Sequence, residues 1–272
     1  MKNFICFITI ILFVTCANNT PDEIPPNEIP PDETCKLSDL DSSFGICKQF
    51  LDTTSGLKLY RFAPYTDVTT LNMRKKLEQR QIPENCLIEM STKALFYQVV
   101  YTDLSTNMVL YSSPQLGFEA LTRDLNMIPE LLNRPDAGYV LLELLQNLDP
   151  AKIDGFDCWL WKRFLQIFLL QVEVINNMTD EDIDRYIDEQ LRCYDIIRCI
   201  DDFFPQNVIP ILYGLGNVMI RYEFEPFLQA FEPLIWHPVT NDFIWRWDDN
   251  FFGEQYALLL IDIVKQFKNR KR

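Results

Sequence analysis

Histidine is nearly missing from this chain: one residue, His237, occurs among 272. Any imidazole-based acid–base chemistry must therefore pass through a single side chain that sits beside a proline. Glycine is scarce as well, at 8 residues. Neither G-x-G-x-x-G nor G-x-x-x-x-G-K-[ST] occurs, so nucleotide folds built on such loops lose support. Cations are outnumbered, with 25 Lys and Arg against 39 Asp and Glu, a net charge of −14 and a pI near 4.5. That balance disfavours phosphate backbones and anionic lipid surfaces, so nucleic acid is not an expected partner. No two cysteines are spaced C-x-x-C, which with one histidine disfavours a metal site; neither metal nor cofactor is expected.

What the chain does have is apolar mass, at 48% hydrophobic and 13% aromatic residues, enough for a substantial core. Lys2 followed by the apolar run 4–14 has the charge order and length of a secretory signal and is too short to span a bilayer. The run ends in Phe13-Val14-Thr15-Cys16, which resembles a bacterial lipobox with lipidation at Cys16; ordinary cleavage after Ala17 is the alternative. Residues 17–34 repeat Glu-Ile-Pro-Pro at 23–26 and 28–31, a composition that favours extended polyproline II and forms no core. The expected organisation is a signal peptide over 1–15, a lipidated cysteine and acidic proline-rich spacer over 16–34, and a single helical domain over 35–272. This implies an exported protein held to the membrane by its N-terminal lipid, on the outer membrane of a bacterium, with an envelope protein or glycan as partner.

Helical signals fill the domain. Ala137, Val140, Leu141, Leu144, Leu145 and Leu148 recur at the spacing of one face of a 3.6-residue helix, with Pro135 in its first turn and Asp136 complementing the positive helix end. Ser113 and Pro114 open a helix carrying Phe118, Leu121 and Leu125; Ser91 opens one with Leu95 and Val99; Asp103 opens one with Leu104, Met108 and Tyr111. Residues 158–175 are apolar on nearly all sides and predict one central helix, and the charged residues within it argue against a membrane span. Thr179 caps a helix whose inner face is Ile183, Ile187, Leu191 and Tyr194. Its D-x-D-x-D run at 180–184 has Arg185 where a calcium loop needs glycine, so the acids suit a helix start. A helix from about Pro210 to Tyr222 follows, with Gly214 and Gly216 suited to close packing. The last helix places Tyr256, Leu259, Leu260, Ile263, Val264 and Phe267 on one face. Residues 71–81 look helical, while the alternation at 56–62 suits a strand. The predicted fold is all-α: a stack of antiparallel helical pairs, an α-α superhelix or an irregular bundle, with a short hairpin or strand near the N-terminus.

Of the six cysteines between 35 and 199, Cys193 and Cys199 fall on one predicted helix, about 9 Å apart in rise and beyond disulfide reach. The remaining pairings stay open. One segment gathers chemistry. Trp236, Trp245, Trp247 and Phe251 are candidate ligand-binding residues, because aromatic faces beside carboxylates suit carbohydrate or peptide grooves; packing of a long loop is the competing reading. His237 with Asp242, Asp248 or Asp249 is the candidate catalytic set for a small hydrolase or glycan-processing enzyme.

The progression Ile82-Pro83-Glu84, Met90-Ser91-Thr92-Lys93-Ala94-Leu95, Gly117-Phe118 and Glu130-Leu131-Leu132-Asn133-Arg134-Pro135-Asp136-Ala137 resembles the helical domain of a group of envelope lipoproteins from gut Bacteroidota that has no established activity. The resemblance implies a location and a helical fold. The Asn-Cys-His module carried by some of that group has no counterpart here, and the anchor, the spacer and the lack of a catalytic constellation point to a binding or scaffold role more than to catalysis.

Overall fold

The structure, a computed structural model, describes residues 46–52, 56–62, 80–102, 114–148, 156–200, 205–237, 242–243 and 254–270. Cys16, the spacer, residues 71–79 of the helix predicted over 71–81 and the helix predicted from Asp103 lie outside the described residues, while Arg80 and Gln81 are not helical.

The fold is all-α with a β-hairpin on its N-terminal side. Strands β1 (Ile46–Asp52) and β2 (Leu57–Phe62) pair antiparallel, Asp52 opposite Leu57 and Gln49 opposite Tyr60. Gly56 turns the chain at φ +70°, backbone that glycine adopts without a steric penalty. Helices α1 (Glu84–Glu89), α2 (Thr92–Val100), α3 (Pro114–Asp124), α4 (Met127–Leu132), α5 (Ala137–Gln146) and α6 (Phe156–Leu169) follow. Then come α7 (Val172–Asn177), α8 (Asp180–Ile200), α9 (Pro205–Arg221), α10 (Glu225–Ile235), a second short pair β3 (Trp236–His237) and β4 (Asp242–Phe243), and α11 (Glu254–Arg270). Helix α2 packs on α4, α5 and the hairpin. Helix α5 meets α6, α7 and α8, and α9 is surrounded by α6, α7, α8, α10 and α11. One buried core runs through the helices, with Leu95, Leu141, Phe168, Ile187 and Leu215 fully inside.

Caps behave largely as the residues predict. Ser91 Oγ accepts from the Ala94 N–H at 3.2 Å. Thr179 and Asp182 form a reciprocal box: the Asp182 N–H donates to Thr179 Oγ1 at 3.1 Å, while the Asp182 carboxylate accepts from the Thr179 hydroxyl at 2.7 Å. Asp136 stands at the N-terminal end of α5, where its charge suits the positive helix end. Its side chain caps nothing in α5 and instead accepts from the buried Thr92 hydroxyl at 2.5 Å, tying the start of α5 to the start of α2.

Four sequence expectations need correction. Leu142 joins the buried face of α5 while Val140 and Leu144 are half-buried, because α5 is packed by neighbours on several sides rather than along one stripe. In α11 the face turns toward Ala257 and Ile261, leaving Leu259 41% exposed. Helix α9 begins at Pro205, and Pro210 lies inside it. A proline so near the start costs one intrahelical bond and does not stop the helix. Most consequentially, the predicted helix over 158–175 is two helices, broken at Leu170 and Gln171, where Gln171 takes extended backbone with ψ 139°.

That break exposes an internal correspondence. Helices α1 and α7 both have six residues, each follows an extended residue with ψ near 140° (Pro83, Gln171), and each ends at an extended methionine (Met90, Met178). The methionine N–H returns to the carbonyl three residues earlier in both cases, Leu87 and Ile175. A hydroxyl residue then caps the next helix, Ser91 for α2 and Thr179 for α8. An arginine from a later helix end closes each unit. Arg134 Nη2 donates to the Leu87 carbonyl at 2.9 Å. Arg221 donates to the Ile175 carbonyl, and to that of Met178 at 2.9 Å. Buried positions repeat too: Leu95, Gln98, Val99 and Thr102 in and just after α2 match Ile183, Tyr186, Ile187 and Gln190 in α8. We read these correspondences as two helical repeats in tandem, α1 to α4 and α7 to α9, each closed by the arginine at its end.

Candidate ligand groove at the junction of the repeats

The helix break places a groove of about 670 Å3 where the two repeats meet. From the first repeat, α3 contributes Gln115, Phe118, Glu119, Thr122 and Arg123. From the second come Gln171, Val172, Glu173 and Asn176 around α7, with Tyr213, Asn217 and Arg221 from α9. Four of its polar side chains are neutral amides, Gln115, Gln171, Asn176 and Asn217. Gln171 Nε2 donates to the Ile167 carbonyl at 2.6 Å, and Asn217 Nδ2 donates to the Leu170 carbonyl at 2.8 Å. These bonds satisfy carbonyls released by the break, which is why it forms without glycine or proline. Gln115 and Gln171 face each other and exchange amide bonds at 3.3 and 3.2 Å, and Gln115 also donates to Glu119 at 3.3 Å. Both Arg221 Nη atoms are committed to backbone carbonyls. The exposed Arg123 lies beside Asp124 at 3.5 Å. Among the rings, Phe118 is buried and Tyr213 half-buried, while Val172 is 52% exposed at the rim.

Of the candidate catalytic and aromatic residues, Trp236, His237 and Asp242 stand on the short strand pair. The β3–β4 register sets His237 opposite Asp242 and Trp236 opposite Phe243. Asp248, Asp249, Trp245, Trp247 and Phe251 lie outside the described residues. The acids opening α8 have structural partners: Asp182 is in the capping box, Asp180 accepts from the Tyr222 hydroxyl, and Asp188 pairs with Lys268. Burial, with Asp180 as acceptor, pushes the Tyr222 phenol up to about 12. No group of three metal-ligating side chains forms among the described residues, and no described helix is long and apolar enough to cross a membrane.

A second polar cluster sits on α8. Buried Glu189 receives Arg192 through two bonds, 2.9 and 2.5 Å, and accepts from Cys193 Sγ at 3.4 Å. Burial first, with help from Glu189 and against Lys162, pushes the Cys193 thiol up to about 11. A reactive cysteine needs the opposite shift, so this cluster is structural.

Sequence reasoning passed over Gln171 and Asn217 because nothing at 158–175 marks a break. The signal that was present is the recurrence of a short apolar segment, methionine and hydroxyl residue at Leu87-Met90-Ser91 and Ile175-Met178-Thr179. Comparison with known protein families, curated proteins and solved structures finds no match to this chain.

Proposed function

We propose that this chain is a binding lipoprotein of the bacterial cell envelope, anchored through Cys16, whose ligand site is the groove between its two repeats. The observation that carries the reading is the groove itself. It is lined by both repeats and floored by neutral amides, and stacked helical repeats present extended ligands with surfaces of this kind. The lipobox-like Phe13-Val14-Thr15-Cys16, the acidic spacer and the resemblance to Bacteroidota envelope lipoproteins support the location. Fractionation of cells expressing wild type and Cys16→Ala tests the anchor. Wild type should sediment with outer membrane and the variant should be released; equal sedimentation rejects the anchor. Ligand retention by wild type but not by Gln171→Ala tests the groove.

A second reading is favoured by the register that sets His237 opposite Asp242: an envelope hydrolase or glycan-processing enzyme. Hydrolysis of envelope glycans or peptides by the purified chain, abolished in His237→Ala, would establish it in place of the binding role.

A further inference from the structure

We infer that the groove takes a segment of extended polypeptide bearing basic side chains, a conclusion that rests on the binding role proposed above. The chain shows twice what its amide side chains do with extended backbone. Gln98, buried on α2, accepts from the Tyr60 N–H at 2.8 Å and donates to the Tyr60 carbonyl at 2.9 Å, acting as a one-residue strand beside β2. Asn126 treats Ile82 the same way, accepting from its N–H at 3.1 Å and donating to its carbonyl at 2.7 Å. Each time, one carboxamide satisfies both backbone groups of one residue.

Gln115 and Gln171 present such donor-and-acceptor forks in the groove, engaged with each other through bonds of 3.3 and 3.2 Å, while the other Nε2 hydrogen of Gln171 goes to the Ile167 carbonyl and that of Gln115 to Glu119. These are at the long end for N–H···O geometry. An entering peptide backbone would exchange two long bonds for shorter ones of the Gln98 kind. The rim supplies what alternate peptide side chains need: Val172 offers apolar surface and Glu119 and Glu173 offer exposed carboxylates. The groove's two cations have their donors engaged within the protein. Arg221 is held by the carbonyls of Ile175 and Met178, and Arg123 stands beside Asp124. The net charge of −14 acts in the same direction. A glycan is the weaker fit, because stacking against sugar needs an open aromatic face, and of the groove's rings Phe118 is only 2% exposed and Tyr213 is half-buried.

The test uses the full chain and three fluorescein-labelled probes: a pool of twelve-residue peptides with lysine at alternate positions, the same pool with aspartate, and a neutral oligosaccharide of similar length. Anisotropy should show saturable binding of the lysine pool alone, weakened about tenfold by Gln171→Ala. Because Gln171 also holds the helix break, the exposed Glu119→Lys/Glu173→Lys double variant supplies a second arm. It should lose the lysine pool, gain the aspartate pool and keep its thermal midpoint. Preference for the oligosaccharide or the aspartate pool, lost in Gln171→Ala, would overturn the inference and leave the groove as a binding site. Binding of the lysine pool unaffected by any of these substitutions would overturn both.

Discussion

Tyr186 and Gly214 show how tightly one residue fixes another in this core. The Tyr186 ring is fully buried, its hydroxyl has no hydrogen-bonding partner among the described residues, and burial raises its pKa. A Cβ at position 214 would sit 1.9 Å from that oxygen and 3.2 Å from Cζ. Gly214→Ala should therefore cost about 1–3 kcal/mol in urea denaturation, as overpacking does. Tyr186→Phe should be neutral or stabilising by up to about 1 kcal/mol, since it removes a buried hydroxyl that makes no bond. In the Tyr186→Phe background the alanine penalty should fall by roughly half or more, because the shortest clash is gone; an unchanged penalty would place the strain elsewhere. Cys193 offers a chemical check. Its thiol holds its proton more tightly folded than unfolded, so the stability it contributes is complete below the ordinary thiol range and is lost as pH rises through about 11. At pH 8, peptide mapping after iodoacetamide should find half-buried Cys86 alkylated before buried Cys193.

At the scale of elements, the account turns on how short helices end. Helices of six residues are marginal alone and depend on their neighbours for closure. Arg221 gives two charge-assisted bonds to carbonyls ending α7, and Arg134 does the corresponding work for α1. Arg221→Ala and Arg134→Ala should each lower stability by about 2 kcal/mol, and Thr179→Ala by about 1 kcal/mol through loss of the capping box. Gln98→Ala should free the hairpin, so the Tyr60 amide should exchange with solvent deuterium much faster while core amides of α9 stay protected. Amphipathic spacing and hydroxyl caps made α2, α3, α5, α8 and α11 legible from residue order alone, because those signals are local. The break at Gln171 was not legible, since Asn217, whose amide takes the Leu170 carbonyl, arrives from α9 47 residues later. The groove was hidden for the same reason: its two walls are local, but their meeting is tertiary.

At the scale of the molecule, two repeats make a surface that neither makes alone. The first supplies Gln115, Glu119 and Arg123, the second Gln171, Val172 and Glu173, and the helix break between them opens the space. The central claim is that this junction is where the protein meets its ligand. Site-specific photo-crosslinking in cells tests it most directly, with a photoreactive residue in place of Val172 at the groove rim or of Leu259, which is comparably exposed on α11. The account predicts a discrete adduct from position 172, diminished by Gln171→Ala, and none from position 259. Adducts of equal yield at both positions, or at 259 alone, would contradict it.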